Sequence, residues 1–266
     1  MPYKQDVNVL GTVTIINACV QLGVERLVYT SSMGAVVGPK QGYLRVWNED
    51  TLDTPVDELT SHYGKTKRIA ELKVLEANGN GGRLRTISLR LGIPFGPGDK
   101  LQTEVTLTLP AISKLPKGGN ETSFIYCKNW AHWHKLAADK LADDTVAPSI
   151  AGQAFFIDNG GLNKDAIMTQ DKFNEILIAM RKKNPPQKVA VIPLTVVYVF
   201  MVVGQFVDWF TGGKLVTQAL MLNEHAVFYS QVACTLDASK LAKLIGYQQL
   251  YTIKQAFEET AKVLDP

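Results

Sequence analysis

The stretch Gly23-Val-Glu-Arg-Leu-Val-Tyr-Thr-Ser-Ser32 decides the fold of this chain. Gly23 stands where a helix ends, because a glycine accepts the left-handed conformation that closes the last turn. Arg26 to Thr30 is a short apolar, β-rich run, and it opens directly into Ser31-Ser32-Met33-Gly34, the composition of a buried strand running into a loop. Upstream, Val9, Val13, Ile16 and Val20 recur at helical spacing, so one helix is expected over Val7 to Leu22. Downstream, Gly38 to His62 reads as loop. Tyr63 to Ala77 is rich in Lys, Glu, Leu and Ala and reads as a second helix, closed by the Asn-Gly-Asn-Gly-Gly turn at 78–82. Arg85-Thr-Ile-Ser-Leu-Arg90 is a second strand. Helix, strand, helix, strand with glycine turns is the order of a parallel α/β sheet.

The rest of the chain continues in the same style. After an irregular stretch at 99–123, helices are expected at Trp130–Leu141, Gln170–Lys183, Ala238–Leu244 and Ile253–Val263, with a strand at Gln153–Ile157. No internal repeat or low-complexity tract is visible.

Composition narrows the function classes. The 266 residues, 46% hydrophobic and 20% charged, are ordinary for a globular domain, which disfavours disorder, collagen and coiled coil. The net charge of +3 is spread without a basic run, so no nucleic-acid partner is expected. Cys19, Cys127 and Cys234 are odd in number and far apart, which fits a reducing compartment better than a disulfide framework or a zinc site. The start of the chain has no apolar h-region, so no secretory signal is expected. His62, His132, His134 and His225 join no group with metal-ligand spacing, and no metal is expected.

The chemistry-bearing residues lie around the first strand. Tyr63 and Lys67, four apart at the start of a helix, share one face. A free tyrosine titrates too high to serve as a base at neutral pH, and a nearby ammonium stabilises its phenolate. Taken alone, this spacing arises often by chance in a lysine-rich helix. Ser32, at the carboxyl end of the preceding strand, adds weight, because ligands of open α/β sheets bind outside the carboxyl ends of strands. A Ser32 hydroxyl could hold a substrate oxygen there while Tyr63 exchanges its proton.

In combination, Asn8-Val-Leu-Gly-Thr12, Gly23 to Ser32, Tyr63-Gly-Lys-Thr-Lys67 and Leu89-Arg-Leu-Gly-Ile-Pro-Phe-Gly-Pro-Gly-Asp99 resemble the extended short-chain dehydrogenase/reductases. Within them the chain is most similar to the 3β-hydroxysteroid dehydrogenase/isomerase family, sterol 4-carboxylate 3-dehydrogenases included. Phe124 to His132, Ala151 to Ile157 and Lys243 to Tyr247 follow in the family's order. The resemblance implies a Rossmann-like, doubly wound parallel sheet forming a single domain over 1–266, with a smaller discontinuous substrate-binding part near 95–123 and 185–235. It implies Ser32, Tyr63 and Lys67 as the catalytic triad, with Tyr63 as acid and base and Lys67 also bonded to the nicotinamide ribose. Asn8 matches a helix position near that active site, and it reads equally well as a polar helix-start residue. Leu91 and Ile93 fall on the segment that passes the nicotinamide. Leu91 stands where the family usually has proline, and Lys128 where an acidic residue usually precedes Asn129.

The expected activity is NAD- or NADP-dependent oxidation or reduction of a secondary alcohol or ketone on a sterol, steroid or related terpenoid. Family members begin with a strand, a glycine-rich turn and a helix that hold the cofactor pyrophosphate. Here the matching sequence starts at a later helix, so an N-terminally truncated sheet is expected. Two alternatives follow: a non-catalytic remnant that binds an apolar ligand or partner, and a redox-neutral isomerase using the same Tyr63 and Ser32. Val189 to Val207 is the most apolar segment and just reaches the length of a spanning helix. With Tyr198, Phe200, Phe206, Trp209 and Phe210 it suits membrane-surface association through 189–210 or a lid over a greasy substrate. The resemblance implies the endoplasmic reticulum membrane, on its cytoplasmic face, or the cytoplasm, and a homo-oligomer is a further expected partner state.

Overall fold

The structure is a computed structural model that describes residues 6–38, 46–50, 54–59, 61–99, 103, 111–114, 121–180, 188–191, 196, 199, 202–204, 206–207, 210 and 233–264. A single π turn over Asp6–Leu10 leads into α1 (Gly11–Gln21), then β1 (Arg26–Ser32) and a 3-10 turn over Met33–Val36. There follow β2 (Val46–Trp47), α2 (His62–Glu76), β3 (Arg85–Leu91), β4 (Ile93–Phe95), β5 (Ala111–Lys114), β6 (Glu121–Tyr126), α3 (Cys127–Leu141), α4 (Ala147–Ile150) and β7 (Gln153–Ile157). The described part closes with β8 (Ile167–Thr169), α5 (Gln170–Ala179), β9 (Lys188–Val191), β10 (Thr235–Leu236), α6 (Ser239–Ile245) and α7 (Ile253–Leu264).

The main sheet has the order β1-β3-β7, all parallel. Its register sets Ser32 opposite Leu91 and Leu91 opposite Ile157, so the last residues of the three strands form one row. β3 is central and buried at every position but its first, as a strand covered on both faces must be. β1 is the edge strand of this sheet among the described residues, and most of it is half-buried. A second sheet, β4-β6-β8, pairs Ile93–Phe95 in parallel with Phe124–Tyr126 and adds β8 antiparallel.

Apolar layers lie on both faces of the main sheet. On one, Ile16 and Cys19 of α1 and Val74 and Ala77 of α2 meet Leu84, with Leu27 and Tyr29 packed against them. On the other, Trp133, Ala137 and Leu141 of α3 and Leu241 and Ile245 of α6 bury Ile87, Leu89, Phe155 and Ile157. Phe95, Phe124, Phe173 and Phe257 fill a separate aromatic core under the second sheet.

The expected Rossmann-like α/β order with a parallel sheet is present. Several boundaries differ from the sequence reading. The segment taken as one helix from Val7 is a π turn followed by an α-helix, and the strand from Arg26 runs two residues further, to Ser32. The loop between Gly38 and His62 carries β2, which pairs with β10. The stretch read as irregular at 99–123 contains β5 and the start of β6, whose alternation is hidden because β6 is buried on both sides. α5 stops at Ala179, and 181–187 lie outside the described residues. Most of the expected substrate-binding part, 95–123 and 185–235, and half of the apolar segment 189–210 also lie outside them. Within the described residues, no helix is long and apolar enough to cross a membrane.

Candidate active site

The site is built where α2 begins beside the carboxyl end of β1. Ser61 caps α2 by accepting a hydrogen bond from the Gly64 N–H at 2.9 Å. Gly64 lies against the turn after β1 so tightly that a Cβ there would sit 2.3 Å from the Gly34 carbonyl oxygen. This contact needs glycine, and it sets Tyr63, the preceding residue, next to Ser32.

Ser32 takes part in two bonds with separate roles. Its Oγ accepts the Gly34 N–H at 3.1 Å, which leaves its own hydrogen to donate. The Tyr63 side chain is hydrogen-bonded to Ser32, and that bond favours the phenolate. Burial acts more strongly in the opposite sense and holds the Tyr63 phenol above its ordinary value.

Lys67 lies one turn further along α2. Its Nζ donates to the Thr30 carbonyl at 2.6 Å and stands 4.3 Å from the centre of the Tyr29 ring. Burial lowers the Lys67 ammonium to about 8, with Glu71 acting the other way. The sequence reading expected the ammonium to lower Tyr63. In the fold the ammonium bonds to β1 instead, and the balance of burial and the Ser32 bond governs the phenol.

The other expected residues take distinct places. Asn8, on the π turn, donates from Nδ2 to Thr66 Oγ1 at 3.0 Å, and Thr66 in turn donates to the Tyr63 carbonyl. Asn8 thus braces the first turn of α2. Leu91 is the register partner of Ser32, buried at the end of β3, and Ile93 is half-buried two residues on. Lys128 does not reach this site; it forms an ion pair with Glu259 of α7 and lies over the Tyr251 ring. Among the described residues no three His, Cys, Asp or Glu side chains group as a metal site.

Three further residues that the sequence does not single out are bonded to this site or its helix. Thr30 holds Lys67 through its carbonyl, and its hydroxyl lies 2.7 Å from His134 Nε2 on the opposite face of the sheet. His134 Nδ1 lies 3.1 Å from the Trp130 carbonyl, which can only accept; Nδ1 therefore carries the proton and Nε2 accepts from Thr30. Burial lowers His134, which favours the neutral ring. The third is Glu71, fully buried on α2, whose carboxylate takes bonds from Arg90, Arg68 and Ser88. The helical step from Tyr63 through Lys67 to Glu71 was available as a signal, since each is four residues from the last.

Known proteins resemble the chain in sequence and in fold. It is 30% identical over 263 residues to 3beta-hydroxysteroid-dehydrogenase/decarboxylase isoform 1 of Arabidopsis thaliana, covering 97% of this chain and 57% of that protein. It is also 30% identical over 264 residues to short-chain dehydrogenase/reductase family 42E member 1 of Homo sapiens, covering 96% of this chain and 64% of that one. The chain therefore spans somewhat over half the length of these relatives. Among solved structures, epimerase Mth375 of Methanothermobacter thermautotrophicus superposes with a TM-score of 0.68 at 15% identity, over 97% of this chain and 65% of that one. The dTDP-glucose 4,6-dehydratase of Bacillus anthracis, solved in complex with NAD, gives 0.61 at 17% identity, over 97% and 68%. At such identities these structures speak for the fold alone. The sequence model of the 3-beta hydroxysteroid dehydrogenase/isomerase family matches residues 3–188, and the chain belongs to that family.

Proposed function

We propose that this chain carries the proton-transfer half of an NAD(P)-dependent alcohol dehydrogenase acting on a 3β-hydroxysterol, a steroid or a related terpenoid. The observation that carries the reading is the Ser32–Tyr63 hydrogen bond at the carboxyl end of β1, with Lys67 one turn away on the same helix.

The residues present fit the nicotinamide end of a dinucleotide. An ammonium has three donors, and the Lys67 bond to Thr30 uses one, which leaves others for ribose hydroxyls. Ile93 is half-buried and offers apolar surface for a flat ring, while Leu91, the register partner of Ser32, is packed in the core. When bound, the nicotinamide supplies the hydride acceptor or donor. Ser32 holds the substrate oxygen by hydrogen bonding. Tyr63 takes the hydroxyl proton in oxidation and returns it in reduction, and Lys67 stabilises the phenolate that forms.

The phenol raised by burial suits this cycle. A protonated Tyr63 is the resting form, and an ammonium brought to bear by ligand binding would favour its ionised form. The apolar character of the substrate is supported by the family and by the exposed Val199, Phe206 and Phe210, which also favour a membrane-surface or lid role for 189–210. The test is turnover of a 3β-hydroxysterol with NAD or NADP by the parent chain and by Ser32→Ala. The reading expects product from the parent and a loss of about 10²-fold or more in the variant. Equal turnover of the two contradicts it.

A further inference from the structure

The buried face of α2 is unusual in what it contains. Gly64, Thr66, Arg68, Ala70, Glu71 and Val74 are the buried residues within the helix, and of these Ala70 and Val74 alone carry apolar side chains. An apolar stripe lets a helix roll by small amounts, whereas charged groups with fixed bonding directions do not. The roll of α2 is therefore set by its polar contacts, and the densest of these lies at Glu71.

Glu71 is fully buried and receives four donors from three residues. Arg90 of β3 grips it with Nη2 to Oε1 at 2.7 Å and Nε to Oε2 at 3.0 Å, a two-pronged bond of fixed geometry. Arg68 Nη1 donates to Oε1 at 2.7 Å, and the Ser88 hydroxyl donates to Oε2 at 2.9 Å. Glu71 stands one helical turn beyond Lys67, as Lys67 stands one turn beyond Tyr63.

We propose that Glu71, clamped by Arg90, is a positioning residue for Lys67: the clamp fixes the roll of α2, and the carboxylate supplies the negative charge beneath the Lys67 ammonium. This rests on the reading of Lys67 as the working ammonium of the site. The ionisable groups around Lys67 are Tyr63 and Glu71 on its own helix, Tyr29 on β1, Arg68 and Arg90 in the clamp, and His134 behind Thr30 across the sheet. The carboxylate stays charged although burial alone would neutralise it, because the two arginines outweigh burial and bring it to about 2.

The experiment reads Lys67 directly, without cofactor or substrate. The chain is labelled with 13Cε-lysine, the Lys67 signal is assigned by its loss in Lys67→Arg, and its pH titration is followed by NMR. Glu71→Gln is expected to lower the Lys67 midpoint below that of the parent, because the nearest negative charge is gone and two arginines remain. Arg90→Met is expected to raise it, because the carboxylate is less neutralised. Loosening of the fold alone would hydrate Lys67 and move both variants upward, toward the ordinary lysine value. A Lys67 midpoint that is unchanged or raised in folded Glu71→Gln overturns the proposal.

If Glu71→Gln does not fold, the variant carrying Glu71→Leu, Arg68→Leu and Arg90→Leu replaces the whole charged cluster by apolar groups, an exchange that buried ion pairs and triads often tolerate. A lowered midpoint is again expected, since Glu71 is the charged neighbour that acts on Lys67, and a raised or unchanged one overturns the proposal. A chain that turns over no sterol yet shows these shifts refutes the functional reading and leaves the positioning role standing.

Discussion

The Lys67 ammonium and the Thr30 carbonyl, 2.6 Å apart, join helix α2 to β1, the edge strand of the main sheet among the described residues. Thr30 is held in turn by His134 through its hydroxyl at 2.7 Å, so one residue of β1 bears on Lys67 with its main chain and on α3 with its side chain. The carboxyl end of β1 is tied to helices on both faces of the sheet by this residue.

The burial of Lys67 has a consequence for stability. Its folded value of about 8 lies below the ordinary 10.5, so between those values the unfolded chain binds a proton that the folded chain has lost. Stability from this group therefore rises with pH from about 8 to 10.5, and it is lower below 8. Lys67→Met removes that rise. Urea unfolding of parent and variant across this range should show a difference that closes toward high pH, on the order of 1 to 3 kcal/mol below pH 8 less the cost of an unpaired Thr30 carbonyl.

Gly64 tests how Tyr63 is placed. A Cβ at this position meets the Gly34 carbonyl oxygen at 2.3 Å, a main-chain atom that cannot swing aside. Gly64→Ala should cost about 1 to 3 kcal/mol in thermal or urea unfolding. It should also lower turnover more than this loss of stability accounts for, because α2 must lift away from Ser32.

The Thr30–His134 bond makes a double-variant prediction. His134→Leu strands the Thr30 hydroxyl inside the fold and should cost about 1 to 3 kcal/mol. Adding Thr30→Val removes the stranded group, so the double variant should be less destabilised than the sum of the single changes. Urea unfolding of the four proteins reads the difference.

The exposed apolar side chains of the 189–210 segment make a prediction about membranes. Val199 and Phe210 are 62% and 76% exposed. If the segment docks on lipid, the parent chain should co-sediment with phosphatidylcholine vesicles and Val199→Ser with Phe210→Ser should bind them at least about 10²-fold more weakly, since burying each apolar side chain contributes about 1.5 to 3 kcal/mol. Equal sedimentation would leave these residues to a lid role.

Much of the main sheet was legible because its signals are local. Gly23 closes α1, the β-rich run from Arg26 is short enough for a strand, and the glycine turn at 78–82 separates α2 from β3. β6 was missed because every residue after Glu121 is buried, which removes the alternation that marks a strand with one wet face. The site divides in the same way. Tyr63 and Lys67 are four apart on one helix, a spacing visible in any sequence, and Ser32 ends a strand that composition reveals. Thr30, His134 and the Arg90 clamp on Glu71 join residues 104 and 19 positions apart, and only the folded sheet brings them together. Nor could spacing show that Lys67 turns toward Thr30, since that depends on the roll of α2.

Proton transfer from a sterol alcohol to Tyr63 is tested most directly by following nicotinamide reduction with a 3β-hydroxysterol and saturating NAD or NADP for the parent and for Tyr63→Phe, which removes only the phenolic oxygen. The parent should give steady reduction, and a variant that remains folded should lose at least about 10²-fold. Turnover of Tyr63→Phe at the parent's rate would contradict proton transfer to Tyr63.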